Sequence, residues 1–281
     1  MKESLLYEKN DSNRSAIWGD ALPWVTGGLL VFALVAFALA TPPGLLSKAD
    51  MVAYAVCHQI GSHSFVIAGT QLPLCARCTG TFLGALVGLL GQGFVLQRRR
   101  AAAFPPPGVL TILVIFTILW AADGLNSYLA LVGGPHGYEP TNELRLVTGA
   151  LNGLTMSALV YVVVNVSLWK CPMEVPNIRG WRDLGLLLLL EAGLVGVVLS
   201  RQGFLLYPIA LLSAAAVLTL LTSVNTVIAV ILLGRENSVE NWREALFPIA
   251  VGFLLCLVQI AVIDLLRYRL TGTLQGIPSL H

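Results

Sequence analysis

FLLYPIALLSAAAVLTLLTSVNTVIAVILL, residues 204–233, contains no charged side chain. A helix needs about 20 apolar residues to cross the hydrocarbon core of a bilayer, and this run is too long for an ordinary buried strand. Similar runs occupy residues 25–40, 79–96, 109–132, 144–168, 184–199 and 245–266. An open sheet in lipid would leave backbone groups unpaired, so the runs read as helices. The expected fold is an all-α membrane protein, a polytopic bundle of about seven transmembrane helices.

Composition supports this reading. The chain is 56% hydrophobic and 11% charged over 281 residues, against roughly 25% charged residues in soluble domains. A net charge of +2 with scattered arginines gives no nucleic-acid surface. The expected partner is the lipid bilayer. No linker, charge block or repeat divides the sequence, so residues 1–281 read as one transmembrane domain. Residues 41–78 form a loop and residues 184–281 supply additional helices.

Lysine and arginine resist translocation, so their distribution sets the orientation. With the N-terminus inside, Lys2, Lys9, Arg14, Arg98, Arg99, Arg100, Lys170, Arg179, Arg182, Arg235 and Arg243 are cytoplasmic. Lys48, Arg77, Arg145, Arg201, Arg267 and Arg269 then lie outside. The Arg98-Arg99-Arg100 run weighs most in this N-in, C-out assignment. Ala38-Leu39-Ala40 also resembles a signal-peptide cleavage site. Either reading places the loop at 57–78 on the extracytoplasmic side.

That loop concentrates the chemistry. Ser47-Lys48-Ala49-Asp50 has capping-box spacing, which predicts a short helix leading to Cys57. Cys75-Ala76-Arg77-Cys78 then opens the second span, where the helix N-terminus and Arg77 favour a thiolate. Cys57, Cys75 and Cys78 with His58 or His63 match the Cys₃His set of a closed zinc site. His63 is the easier fourth ligand, because adjacent residues seldom both turn toward one ion. The cofactor read from these residues is zinc or another transition metal. A second reading is a thiol–disulfide oxidoreductase using Cys75 and Cys78, with Cys57 as exchange partner and quinone as acceptor. A third is a transporter or an accessory subunit of a larger membrane complex, with the cysteines as a structural staple.

Charged and polar groups inside apolar spans are costly and mark functional candidates. Asp123 and Asn126 share a helix face, as do Arg145, Thr148 and Asn152. Asp123, Asn126, Arg145 and Asn152 are therefore expected to form a polar pocket for a lipid or small-molecule ligand. Within it Asp123 pairs with Arg145 or shares a ligand with it. Glu191 has no local partner, whereas Asp264 lies three residues before Arg267, the spacing of a helical pair. Gly80, Gly84 and Gly88 place small residues on one helix face for close packing.

Cys57-His58-Gln59, His63-Ser64-Phe65 and the run Pro73-Leu74-Cys75-Ala76-Arg77-Cys78-Thr79-Gly80 resemble the signature of bacterial and archaeal membrane proteins catalogued as domain of unknown function 2085. The later Asp123-Gly124 and Arg145 to Gly153 stretches look similar too. The resemblance marks Cys57, His58, Cys75 and Cys78 without naming a reaction, and it implies the cytoplasmic membrane of a prokaryote. It also implies that the fifth to seventh spans are an addition to the family's pattern.

Overall fold

The computed structural model describes residues 21–274. Lys2, Lys9 and Arg14, which entered the charge count, lie outside the described residues. The helices are α1 (Ala21–Ala40), α2 (Leu45–Tyr54), α3 (Ala76–Leu90), α4 (Pro107–Leu131), α5 (Asn142–Leu168), α6 (Trp181–Leu199), α7 (Leu206–Leu232) and α8 (Trp242–Thr271). The protein is a polytopic helical bundle, and each expected span is one of these helices. Six of them are long and apolar enough to cross a membrane. The remaining long helix, α6, carries Arg182, Asp183 and Glu191.

Local chemistry sets the helix ends. The Thr141 hydroxyl caps α5 by accepting from Leu144 N–H at 3.2 Å, and Asn241 Oδ1 caps α8 by accepting from Arg243 and Glu244. Pro107 opens α4, where its missing N–H costs nothing. At α2 the capping box does not operate. The helix begins three residues earlier, after Gly44 at φ 104, with no side-chain cap. Lys48 instead reaches back to Ala38 O and Thr41 Oγ1, both at 2.9 Å.

Helices α3 and α5 form the centre of the bundle, packed through glycines on both sides. A Cβ on Gly84 would lie 2.7 Å from Ala150 O. A Cβ on Gly80 would meet the Leu146 carbonyl, and one on Gly149 the Arg77 carbonyl, well inside contact distance. Backbones this close leave no room for any other residue type. Helices α1, α4 and α8 bury far less of their surface and turn apolar side chains outward. At one end of the bundle, Ala49, Val52, Cys57, Leu74 and Cys75 pack with Val217 of α7 and with Cys256 and Ile260 of α8. The additional helices thus share a core with the cysteine segment.

Candidate metal centre and its polar neighbours

Between α2 and α3 the chain makes a tight hub. After α2, Gln59 adopts the left-handed conformation at φ 54, which turns the backbone sharply behind Cys57 and His58. Strands β1 (Val66–Ile67) and β2 (Thr70–Gln71) form a hairpin. Both residues of its two-residue turn, Ala68 at φ 49 and Gly69 at φ 77, have positive φ, as a type I′ turn requires. Gln59 Nε2 donates to Asp50 O at 3.1 Å and Pro73 O at 3.0 Å, holding the start of the loop against its end. Gln71 donates to Gln59 O, and Asn142 at the start of α5 donates to Ser62 O and Ser64 O.

This hub brings Cys57 Sγ, a ring nitrogen of His58 and Cys75 Sγ within 4.8 Å of one another. Zn–S bonds near 2.3 Å put tetrahedral ligand atoms roughly 3.8 Å apart, so a zinc ion would need the group to contract by about 1 Å. Cys57 Sγ accepts from the backbone N–H of Cys75 at 3.2 Å and of Gln59 at 3.4 Å. The Cys75 and Cys78 thiols lie against the same sulfur and, with those two N–H groups, hold the Cys57 thiol well below its usual range, against the effect of burial. The Cys75 thiol moves up in turn, because its proton is shared with Cys57. Cys75 also caps α3, its sulfur accepting from Cys78 N–H at 3.5 Å. All five cysteines are free thiols.

The histidines divide the fourth position between them. The sharp turn at Gln59 lets neighbouring Cys57 and His58 face one point, so adjacency does not exclude His58. Its Nδ1 accepts from Ile60 N–H at 3.0 Å, which leaves the neutral ring's proton on Nε2. Ligation through His58 requires that hydrogen bond to be given up. The His63 ring packs edge-on against His58, centroids 5.4 Å apart, and lies outside the close group. Burial first, then the Arg145 charge, pushes His63 down to about 4, so its imidazole is neutral at ordinary pH. Burial also lowers His58, partly offset by Cys57. Both histidines can therefore present a lone pair.

The polar groups behind the hub are arranged differently from the expectation. Asp123 does not pair with Arg145. Its partner is Arg77, the residue between Cys75 and Cys78, with Nη2 at 2.6 Å and Nε at 3.1 Å from Oδ2. Arg77 also donates to Ser127 Oγ at 2.8 Å. The close α3–α5 packing places Arg77 beside α4 and allows this contact. Tyr138 OH donates to Asp123 Oδ1 at 2.8 Å, and Thr148 Oγ1 to Oδ2 at 3.3 Å. Arg145 binds Asn142 Oδ1 at 2.8 Å and Ser127 Oγ at 3.4 Å. Asn126 pins the following loop through Gly137 N–H and Tyr138 O. Asn152 lies deeper, its Oδ1 accepting from Thr117. Asp123, Asn126 and Arg145 therefore form one partnered network, and Asn152 stands apart from it.

Residues 57–159 match the family described as predicted membrane protein DUF2085. The DUF2085 segment contains all three cysteines and both histidines of the hub, with Arg77, Asp123 and Arg145. An uncharacterized protein of Methanocaldococcus jannaschii is 35% identical over 101 residues, 36% of this chain and 58% of that protein. The match thus covers less than two thirds of that relative. An uncharacterized protein of Methanothermobacter thermautotrophicus is 29% identical over 114 residues, 40% of this chain and 91% of its own length. No solved structure matches the chain.

Helices α6, α7 and α8 lie beyond the DUF2085 segment, yet α8 reaches the hub. Arg267 Nη1 donates to the carbonyls of Tyr54 and Cys57, and Nη2 donates to His58 O at 3.3 Å. Its guanidinium also stacks 4.0 Å above the Tyr54 ring. Arg267 is thus not paired with Asp264, whose Oδ1 has no hydrogen-bond partner among the described residues. Nothing in the local sequence signals this contact. Arg77, Arg145 and Arg267 all exert a positive field at His58.

Proposed function

We propose that this membrane protein holds one transition metal ion, zinc by ligand type, in the hub between α2 and α3. Cys57, Cys75 and Cys78 supply sulfur, and His58 or His63 supplies the imidazole. The convergence of Cys57, His58 and Cys75 within 4.8 Å carries the reading. Zinc would fix the loop to the helical bundle and draw the protons from the sulfurs that bind it. The hub faces the extracytoplasmic side, with the N-terminus inside, and the chain is one domain in the cytoplasmic membrane.

Elemental analysis of the purified chain with a free-thiol count tests this. About one zinc per chain is expected, falling near zero when any of Cys57, Cys75 or Cys78 becomes serine, since structural sites tolerate few ligand losses. His58→Gln and His63→Gln separate the two histidines, because only the ligand's loss lowers metal. In intact cells an impermeant thiol reagent should reach the hub after reduction and metal stripping while Cys171 stays protected. The reverse labelling would invert the orientation.

The Cys75 and Cys78 thiols as hydrogen-bond partners of Cys57 also favour a second reading, a thiol–disulfide exchanger. The two uses exclude each other at the same atoms. Metal-free protein with a reducible Cys75–Cys78 disulfide would select the exchanger.

A further inference from the structure

At the end of the bundle opposite the hub, the C-terminal ends of α3 and α5 and the facing sides of α7 and α8 enclose a cavity of about 910 Å³. Leu89, Val164, Leu218 and Phe253 contribute its apolar walls. Thr219, Thr222, Ser223 and Thr226 line it too; the hydroxyls of Thr219, Ser223 and Thr226 each donate to a carbonyl one turn earlier in α7, while that of Thr222 is buried with no hydrogen-bond partner among the described residues. The body of the cavity is therefore mainly apolar, which suits hydrocarbon.

Its mouth is different. Trp169 and Trp242 meet edge-to-face with centroids 4.8 Å apart, the kind of aromatic girdle found at the headgroup level. Arg100 stands beside them, and Arg99 lines the same cavity. Two nearby basic groups are occupied: Arg98 pairs with Asp183 at 3.1 Å and Lys170 with Glu240 at 2.5 Å. Arg100 stacks 4.1 Å over Trp169 and donates to Glu240 O. Arg99 forms no ion pair among the described residues and lies 5.9 Å from the Phe94 ring centroid. An apolar cavity between membrane-length helices, with a cation lacking an acidic partner at its rim, calls for an anion attached to an alkyl chain.

We propose that this cavity is a binding site for an acidic phospholipid. The phosphate sits at Arg99, and an acyl chain fills the cleft between α5 and α7. The charge of Arg99 selects the headgroup, and the cavity walls select the chain.

The test uses the full chain, delipidated in detergent and titrated in native mass spectrometry with phosphatidylglycerol or with phosphatidylcholine of the same acyl chains. One phosphatidylglycerol should be retained per chain, in preference to phosphatidylcholine. Arg99→Gln should lower that preference about five-fold, the equivalent of roughly 1 kcal/mol per basic residue at an anionic surface. Ala215→Phe adds bulk from an exposed position in the wall and should reduce retention of both lipids. Thermal melting checks that both variants fold, and an excess of inorganic phosphate should not displace the bound lipid. Equal retention of the two lipids by the wild type, an unchanged preference in folded Arg99→Gln, or displacement by inorganic phosphate would each overturn the assignment.

Discussion

Asp123→Ala tests the link between the cysteine hub and the bundle. Asp123 is 2% exposed and the Arg77 side chain 17%, so the pair is screened little by solvent. The carboxylate accepts two Arg77 hydrogen bonds, one from Tyr138 OH and one from Thr148. Truncation leaves a half-buried guanidinium with Ser127 Oγ and the Asp123 backbone carbonyl as its remaining partners. Breaking a buried pair from one side costs about 3–5 kcal/mol. Arg145→Gln removes hydrogen bonds to neutral partners and should cost only about 1–3 kcal/mol. Unfolding in mixed detergent and SDS micelles, followed by tryptophan fluorescence, supplies the values for two double-mutant cycles. The cycle between positions 77 and 123 should show coupling above about 1 kcal/mol, and the cycle between 145 and 123 much less. Because Arg77 lies between two hub cysteines, Asp123→Ala should also speed metal loss to a chelator. A larger coupling at 145 than at 77 would refute the pairing described here.

The glycine interface between α3 and α5 gives a contrast. Gly84→Ala should cost more than about 2 kcal/mol by overpacking two backbones, whereas Gly193→Ala, with nothing within 4 Å of its Cβ, should be neutral or stabilising in the same unfolding assay. Glu191 is 3% exposed, with neither carboxylate oxygen hydrogen-bonded among the described residues. Glu191→Leu should therefore stabilise the bundle by about 1–3 kcal/mol, and a loss of stability would show that the acid has a partner of its own. Arg267→Gln should raise the chelator-induced release of metal from the hub several-fold while the full cysteine count is retained. Unchanged release would reduce Arg267 to a contact of α8 alone.

The helices were readable because membrane insertion imposes a strong, local signal: length without charge, ended by proline, asparagine or basic residues. The Gly80, Gly84 and Gly88 spacing likewise pointed to a close contact, though their partner helix was not readable. Residues of the hub were also evident, since three cysteines and two histidines crowd a 22-residue stretch. Which histidine faces the sulfurs was not. That depends on the left-handed turn at Gln59, a conformation with no glycine to announce it.

The pairing of Asp123 failed for a different reason. Reading along the chain, α4 and α5 are consecutive antiparallel helices, so Asp123 and Arg145 fall at matching depth and look complementary. Depth alone does not say which third helix intervenes. The glycines on α3 and α5 bring those two backbones together, and Arg77 then reaches α4 from the first turn of α3. Arg145 is left to bind Asn142 and to share Ser127 with Arg77. Arg267 follows the same logic at longer range. Its spacing from Asp264 suggests a helical pair, but a guanidinium has five donors, and the carbonyls left exposed where α2 ends satisfy more of them than one carboxylate would. The hub is thus held from both directions in the sequence. Arg77 ties it to the polar network of the DUF2085 segment, and Arg267 ties it to a helix outside that segment.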